Sequence, residues 1–271
     1  GSVEGKRRRQ EEEQLADWRR FRARLVERSK AEEGGAAGAE GGEGVTDAAG
    51  QGARGWMHPT PLIEKGSVLL SQPGPLFIEQ PFFHKAVILV VEHGERDGTL
   101  GLILNRPTAL LAEFGEGLSL NVWYGGPCNG LEDPAEEQWA CCLHTRADLA
   151  QIDAMFEEPI MEGTYMVDLE DALDHIISGR AEADDFAYIV GNCGWAPEQL
   201  QGELDTGVTW RMVAADAATV MDSLRAQRRA QRRLQRLRGS PGFGRGLPAW
   251  RRLFQRLPRG APVGPLQDEV L

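Results

Sequence analysis

Short apolar runs that end in glycine or proline follow one another between Gly66 and Val213, and they limit the fold more than any other feature of this chain. The clearest of these segments are residues 101–107, 125–127 and 191–204. Glycine or proline after an apolar run is typical of a backbone that turns sharply or approaches another backbone closely. The runs therefore indicate a domain of short strands and tight turns, and they do not by themselves specify a reaction.

The apolar runs predict seven strands, because each is short, rich in valine, leucine and isoleucine, and bounded by proline, glycine or charged residues. The predicted strands are residues 67–72, 86–92, 100–105, 121–124, 139–144, 186–191 and 209–214. Residues 94–98 include Asp97-Gly98 and join the second and third strands as a hairpin. A mixed, mainly antiparallel sheet is the expected core.

Three helices are predicted between the strands, at residues 147–156, 169–178 and 197–204. Thr145 and Asp168 are suitable N-caps for the first two, and Gly179 suits the left-handed residue that ends a helix. Pro197 is tolerated in a first turn. Because strands and helices do not alternate regularly, the pattern favours an α+β fold with flanking helices over a doubly wound sheet.

Acidic and basic residues are segregated along the chain. The net charge is −11, yet residues 66–222 hold 27 acidic and 6 basic residues, a net of −21. Residues 223–271 hold 12 arginines and 2 acidic residues, a net of +10, and residues 1–65 balance at 12 of each sign. The sequence therefore predicts a single acidic domain at 66–222 and an Arg-rich basic C-terminal extension at 223–271.

The N-terminal region divides into two parts. Within residues 1–30, Leu15, Trp18, Phe21 and Leu25 are spaced three or four apart, which predicts a charged amphipathic helix with one apolar stripe. Residues 31–65 are rich in glycine, alanine and glutamate, and a segment with so few large apolar side chains is expected to be a flexible linker. An apolar stripe without an internal partner favours docking onto another protein.

The sequence contains no transmembrane segment, because no stretch approaches the roughly 18 to 20 consecutive apolar residues that a membrane span needs. Four cysteines show no CxxC motif and no regular spacing. Reduced thiols in a reducing compartment are therefore expected.

The ordered motifs resemble those of the bacterial AlgH/YqgE-like proteins and their plant homologues over residues 67–215. The motifs are Gly66 to Leu70 with Pro73, Phe82 to Val91 followed by Glu92-His93, residues 101–107, residues 125–127, Gly194-Trp195, Gln199-Leu200 and Glu203-Leu204. The resemblance implies a compact α+β domain around a mixed, partly barrel-like sheet, and a family whose biochemical activity is not established. Asn192-Cys193 stand where bacterial members typically have Tyr-Ala, which suits a plant or algal member in the chloroplast, in the stroma or peripheral to the thylakoid; the alternative is the cytoplasm.

Seven residues inside the motifs form the candidate binding cleft if their loops converge. They are Asn105, Arg106, Gly125, Gly126, Trp195, Gln199 and Glu203. The alternative is structural: Asn105 and Arg106 satisfy turn carbonyls, Trp195 covers the sheet edge, and Gln199 or Glu203 caps a neighbouring strand.

The sequence supports no metal, cofactor or catalytic residue. His84, His93 and His144 lack the spacing of metal ligands on one element. Cys193 has no neighbouring positive charge to lower the pKa of its thiol, so a buried, inert cysteine is expected. No phosphate-binding GxxxxGK or GxGxxG pattern occurs.

The C-terminal extension is the second candidate binding region. Its residues are Arg228, Arg229, Arg232, Arg233 and Arg236, with Trp250 and Phe254 at helical spacing beyond them. A protein partner, a nucleic acid or an anionic membrane surface would suit this pattern, and so would the acidic domain of the same chain.

Together these features favour a non-catalytic binding or scaffold protein that docks onto a larger protein assembly through its terminal extensions. One alternative is a nucleic-acid-associated regulator that uses the Arg-rich tail. The other is a metal-dependent hydrolase or nuclease-like enzyme that uses Glu203 and further loop carboxylates.

Overall fold

Two β-sheets form the centre of the molecule. The computed structural model describes residues 22, 55–74, 77, 79–115, 117–131, 138–150, 159–221 and 247–257. The strands are β1 (Met57–Pro59), β2 (Val68–Ser71), β3 (Val87–Gly94), β4 (Gly98–Ile103), β5 (Pro107–Glu113), β6 (Ser119–Tyr124), β7 (Ala140–His144), β8 (Tyr165–Val167), β9 (Ala187–Val190), β10 (Cys193–Trp195) and β11 (Trp210–Ala215). The helices are α1 (Leu169–Ile177), α2 (Gln199–Asp205) and α3 (Leu247–Phe254), with a 3-10 turn at Ala183–Asp185.

The sheet topology confirms the α+β prediction. Six strands form one sheet in the order β1-β11-β2-β3-β4-β10, and five form the other in the order β5-β6-β9-β7-β8. All pairs are antiparallel except β6 with β9. Gly125 links the sheets, because its carbonyl accepts from Ile103 N and its amide donates to Val190 O, each at 2.8 Å. In the described part of the chain the two sheets do not close into a barrel, which agrees with the partly barrel-like sheet that the family resemblance implied.

Each of the seven predicted strands contains or overlaps an observed one, and the predicted helices at 169–178 and 197–204 correspond to α1 and α2. The predictions missed β1, β5, β8 and β10. Part of the predicted helix at 147–156 lies outside the described residues, as do most of the N-terminal region and residues 222–246. Within the segment predicted as a linker, β1 pairs with β11 through Met57 and Ala215, His58 and Ala214, and Pro59 and Val213.

Three apolar layers result from the two sheets. The inner layer fills the space between the sheets; it contains Val68, Leu70, Leu89 and Leu102 from one sheet and Trp123, Cys141, Leu143 and Ile189 from the other. α3 completes this layer. Because the neighbouring Leu69 points to the outer layer on the six-stranded sheet, β2 is buried on both faces and reads as a continuous apolar run.

α1 covers the outer face of the five-stranded sheet, where Ala172 packs in a cluster with Leu120, Cys142 and Val167. The Asp168 side chain accepts a hydrogen bond from Asp171 N at 2.8 Å and so caps the helix. No helix within the described ranges is long and apolar enough to span a membrane.

Candidate functional site

Asn105 holds the turn between residue 84 and β3. It is fully buried; its Oδ1 accepts from Val87 N at 2.9 Å, and its Nδ2 donates to Lys85 O at 2.8 Å. Lys85 adopts a positive φ of 52°, a conformation that non-glycine residues seldom occupy without support. The Asn105 amide supplies that support from both sides of the turn.

Arg106 is buried next to Asn105. Its Nη1 donates to Asn105 O at 2.9 Å, and its Nη2 donates to His84 O. Burial lowers the pKa of Arg106 to about 10, an effect that Tyr124 opposes. These two residues therefore make the turn contacts of the structural alternative, and both Nη atoms of the guanidinium donate to backbone carbonyls.

Gly125 and Gly126 allow two backbones to cross. A Cβ on Gly125 would lie 2.1 Å from Gly191 O, and a Cβ on Gly126 would lie 2.2 Å from Asn192 O. Neither position has room for a side chain. The glycines thus shape the junction between the two sheets and present no side chain to a ligand.

Glu203 is the centre of a hydrogen-bond cluster between α2, β10 and β11. Its Oε2 accepts from Trp195 Nε1 at 3.1 Å and from Trp210 Nε1 at 2.6 Å. Its Oε1 accepts from Gln199 Nε2 at 3.0 Å, and Gln199 Oε1 accepts in turn from Ala196 N at 3.0 Å. Both oxygens of the carboxylate are therefore engaged by side chains of the domain.

A layer of aromatic side chains outside the six-stranded sheet lies between the predicted segments. Tyr124 lies 5.9 Å from Phe82 between ring centroids, and Phe82 lies 4.6 Å from Phe83. Phe83 packs edge-on against Trp210 at 5.6 Å. The rings thus connect the surroundings of Arg106 with the Glu203 cluster, and Trp210 is a member of the site that the sequence analysis missed, since its strand carries no motif.

Trp250 and Phe254 lie against the chain's own core. Trp250 is 1% exposed, its Nε1 donates to Ser71 O at 2.9 Å, and its ring stacks on Phe254 with centroids 4.5 Å apart. Both residues were predicted to belong to a partner-binding tail, because an amphipathic helix suits an internal and an external apolar surface equally. Arg251 and Arg252 are exposed on the same helix, whereas the predicted arginines at 228–236 lie outside the described residues.

Two buried histidines interact electrostatically, and no sequence motif signals this interaction, because 31 positions separate them. Neither His144 on β7 nor His175 on α1 is exposed. His144 Nδ1 accepts from Arg146 N at 3.2 Å. Burial, followed by the neighbouring His175, lowers the pKa of His144 to about 4.

Two observations concern metal ligands and the Cys193 thiol. No group of three or more His, Cys, Asp or Glu side chains that could hold a metal ion occurs among the residues with described positions. Burial, and to a smaller extent Cys128, raises the pKa of the Cys193 thiol well above its ordinary value. The thiol therefore stays protonated at neutral pH.

Comparisons with known proteins place this chain among uncharacterised relatives. The model of the AlgH-like family, DUF179, matches residues 68–242. A UPF0301 protein of Caulobacter vibrioides is 30% identical over 161 residues, covering 58% of this chain and 78% of that protein. A UPF0301 protein of Thermobifida fusca is 30% identical over 168 residues, covering 58% and 79%. The solution structure of the AlgH protein from Pseudomonas aeruginosa has a TM-score of 0.44 and 24% identity, covering 66% of this chain and 94% of that one.

Proposed function

This chain belongs to the AlgH-like family, and we propose that it is a non-catalytic binding protein that docks onto a larger protein assembly through its terminal extensions. The environment of Glu203 carries the proposal. This half-buried carboxylate accepts hydrogen bonds from two indoles and one amide. A carboxylate held in this way joins α2 to two strands, and the three hydrogen bonds occupy most of its roughly four acceptor positions.

The charge distribution supports a protein partner reached through the C-terminal extension. The acidic domain, at −21, repels polyanions such as nucleic acid, whereas the 12 arginines of residues 223–271 attract an acidic protein surface. α3 anchors the extension in the core through its apolar side, and we propose that the arginines before it bind the partner.

Affinity isolation from native extract tests the proposal. A variant with glutamine at Arg228, Arg229, Arg232, Arg233 and Arg236 keeps α3 and its anchoring tryptophan. We expect the wild-type chain to recover one stoichiometric protein complex and the five-glutamine variant to lose it. The matched control replaces the exposed Arg252 of α3 by glutamine and keeps the complex. Recovery that is unchanged in the five-glutamine variant contradicts docking through this extension.

We further propose a plastid location for this protein, supported by Asn192-Cys193 before the Gly-Trp pair. Fractionation of intact plastids followed by immunodetection tests it. Enrichment in the stroma or on the outer face of the thylakoid is the expected result, and exclusive recovery with cytosolic markers contradicts it.

A further inference from the structure

β1 is a short edge strand of the six-stranded sheet. It has three residues, one of them Pro59, which has no amide to donate. Within the described ranges it pairs with β11 and with no other strand. On one side of the strand Asp216 N donates to Trp56 O at 3.2 Å. On the other side Thr60 N donates to Met212 O at 3.2 Å. A strand this short at a sheet edge opens easily unless further contacts hold it.

Such contacts come from Arg256, which lies two residues beyond the end of α3. Its Nη1 donates to Thr219 Oγ1 at 3.3 Å, and its Nη2 donates to Gly55 O. The Thr219 hydroxyl donates in turn to Trp56 O at 3.5 Å. One guanidinium thus connects the end of α3 with the backbone that leads into β1, in part through the helical turn that follows β11.

Gly55 lies directly against that turn. A Cβ on Gly55 would lie 2.2 Å from Thr219 Oγ1 and 2.8 Å from Asp216 Oδ1, so the contact needs a residue without a side chain. Asp216 Oδ1 also accepts from Thr219 N at 3.1 Å, which fixes the turn. Met57 of β1 and Leu257 beyond α3 are both partly buried against the inner layer. β1 and the end of α3 therefore share a polar junction and one apolar layer.

We infer that Arg256 couples β1 to α3, so that α3, docked in the core, holds β1 on the sheet. Trp250 anchors α3 by itself, because it is buried and donates to Ser71 O at 2.9 Å. Loss of the Arg256 contacts therefore frees β1 and leaves α3 in place. Linkage is reciprocal, so displacement of the backbone at Gly55 loosens the residues that follow α3.

The coupling joins the two ends of the chain. Residues 1–54 lead into Gly55, and residues 258–271 follow Leu257, so both segments adjoin the same junction. Displacement of one segment is thus transmitted to the attachment of the other. This coupling is a property of the chain alone, and it holds whether or not the proposed assembly exists.

Hydrogen exchange of the full chain, followed at single amides by NMR, tests the coupling. R256M keeps most of the length of the side chain and removes its donors. It is expected to accelerate exchange of the Asp216 and Thr60 amides about threefold to tenfold, the effect of losing one or two hydrogen bonds. The Leu104 amide, which donates to a β3 carbonyl at 2.8 Å, is expected to exchange as in the wild type. The matched control is R252M, which alters an exposed arginine of α3 and is expected to leave all three amides unchanged.

G55A tests the reverse direction, because its methyl group displaces the backbone from Thr219. It is expected to accelerate exchange of the amides of residues 255–257, whereas G202A, which has open space in α2, is expected to leave them unchanged. Unchanged exchange at Asp216 and Thr60 in R256M overturns the coupling. Equal acceleration of all three amides also overturns it, since Arg256 would then stabilise the whole domain and not β1 in particular. Exchange of residues 255–257 that G55A leaves unchanged overturns it as well.

Discussion

Truncation of Trp250 to alanine is expected to lower the free energy of unfolding of the whole domain by about 3–5 kcal/mol. A buried tryptophan removes about 150–250 Å² from water, which at about 25 cal/mol per Å² amounts to about 4–6 kcal/mol. Here the side chain is 1% exposed and donates to Ser71 O on β2 at 2.9 Å. The loss therefore includes apolar contact, a cavity between the sheets and an unsatisfied carbonyl.

Guanidinium unfolding followed by circular dichroism measures this effect. W250F is expected to cost less than W250A, because it keeps most of the apolar area and loses mainly the hydrogen bond. R252A, on the exposed side of the same helix, is expected to change stability by no more than about 0.5 kcal/mol. A W250A domain that unfolds within that same margin of the wild type would show that α3 is not part of the cooperative core.

Three further predictions concern the buried polar groups and the strand crossing. E203Q is expected to lower the melting temperature and to reduce the free energy of unfolding by about 1–3 kcal/mol, because a neutral amide has one acceptor oxygen where the carboxylate has two. An unchanged melting temperature would contradict the hydrogen-bond cluster around Glu203. The pKa of His144 is lowered from 6.5 to about 4 in the folded chain, so the unfolded chain binds more protons between these pH values. The contribution of His144 to the free energy of unfolding is therefore fully present above pH 6.5, and it falls by up to about 3 kcal/mol as the pH is lowered to 4. The difference in the slope of unfolding free energy against pH between wild type and H144N measures this, and equal slopes would contradict it. G126A is expected to destabilise the domain, because its Cβ would lie 2.2 Å from Asn192 O. The control G202A has open space in α2, and it is expected to raise the free energy of unfolding by about 0.5–1 kcal/mol. Urea midpoints that shift in the same direction for both variants would refute the close approach of the two backbones.

Strands were the most predictable part of the fold, because strands buried on both faces have a distinctive composition. β3 reads as a continuous apolar run for this reason. β5 escaped prediction, since it begins with a proline and exposes most of its residues at a sheet edge. The role of Asn105 was predictable as one of two alternatives, because a polar side chain beside a turn commonly satisfies the backbone groups of that turn.

Contacts between side chains of different strands and helices were beyond prediction. Trp210 meets Glu203 only because β11 lies beside α2 in space, and no spacing rule encodes that. The apolar stripe of α3 predicts packing against an apolar surface without indicating which surface, so its placement in the core could not be predicted. The pairing of His144 with His175 depends likewise on α1 packing over β7.

Recovery of the protein complex by E203Q, compared with the five-glutamine variant of the C-terminal arginines, tests the central claim most directly. If Glu203 serves the fold and the extension serves binding, E203Q recovers the complete complex at a temperature where it is folded, and the five-glutamine variant recovers none. Loss of the complex in folded E203Q together with full recovery by the five-glutamine variant would contradict the claim and make the Glu203 cluster the functional site.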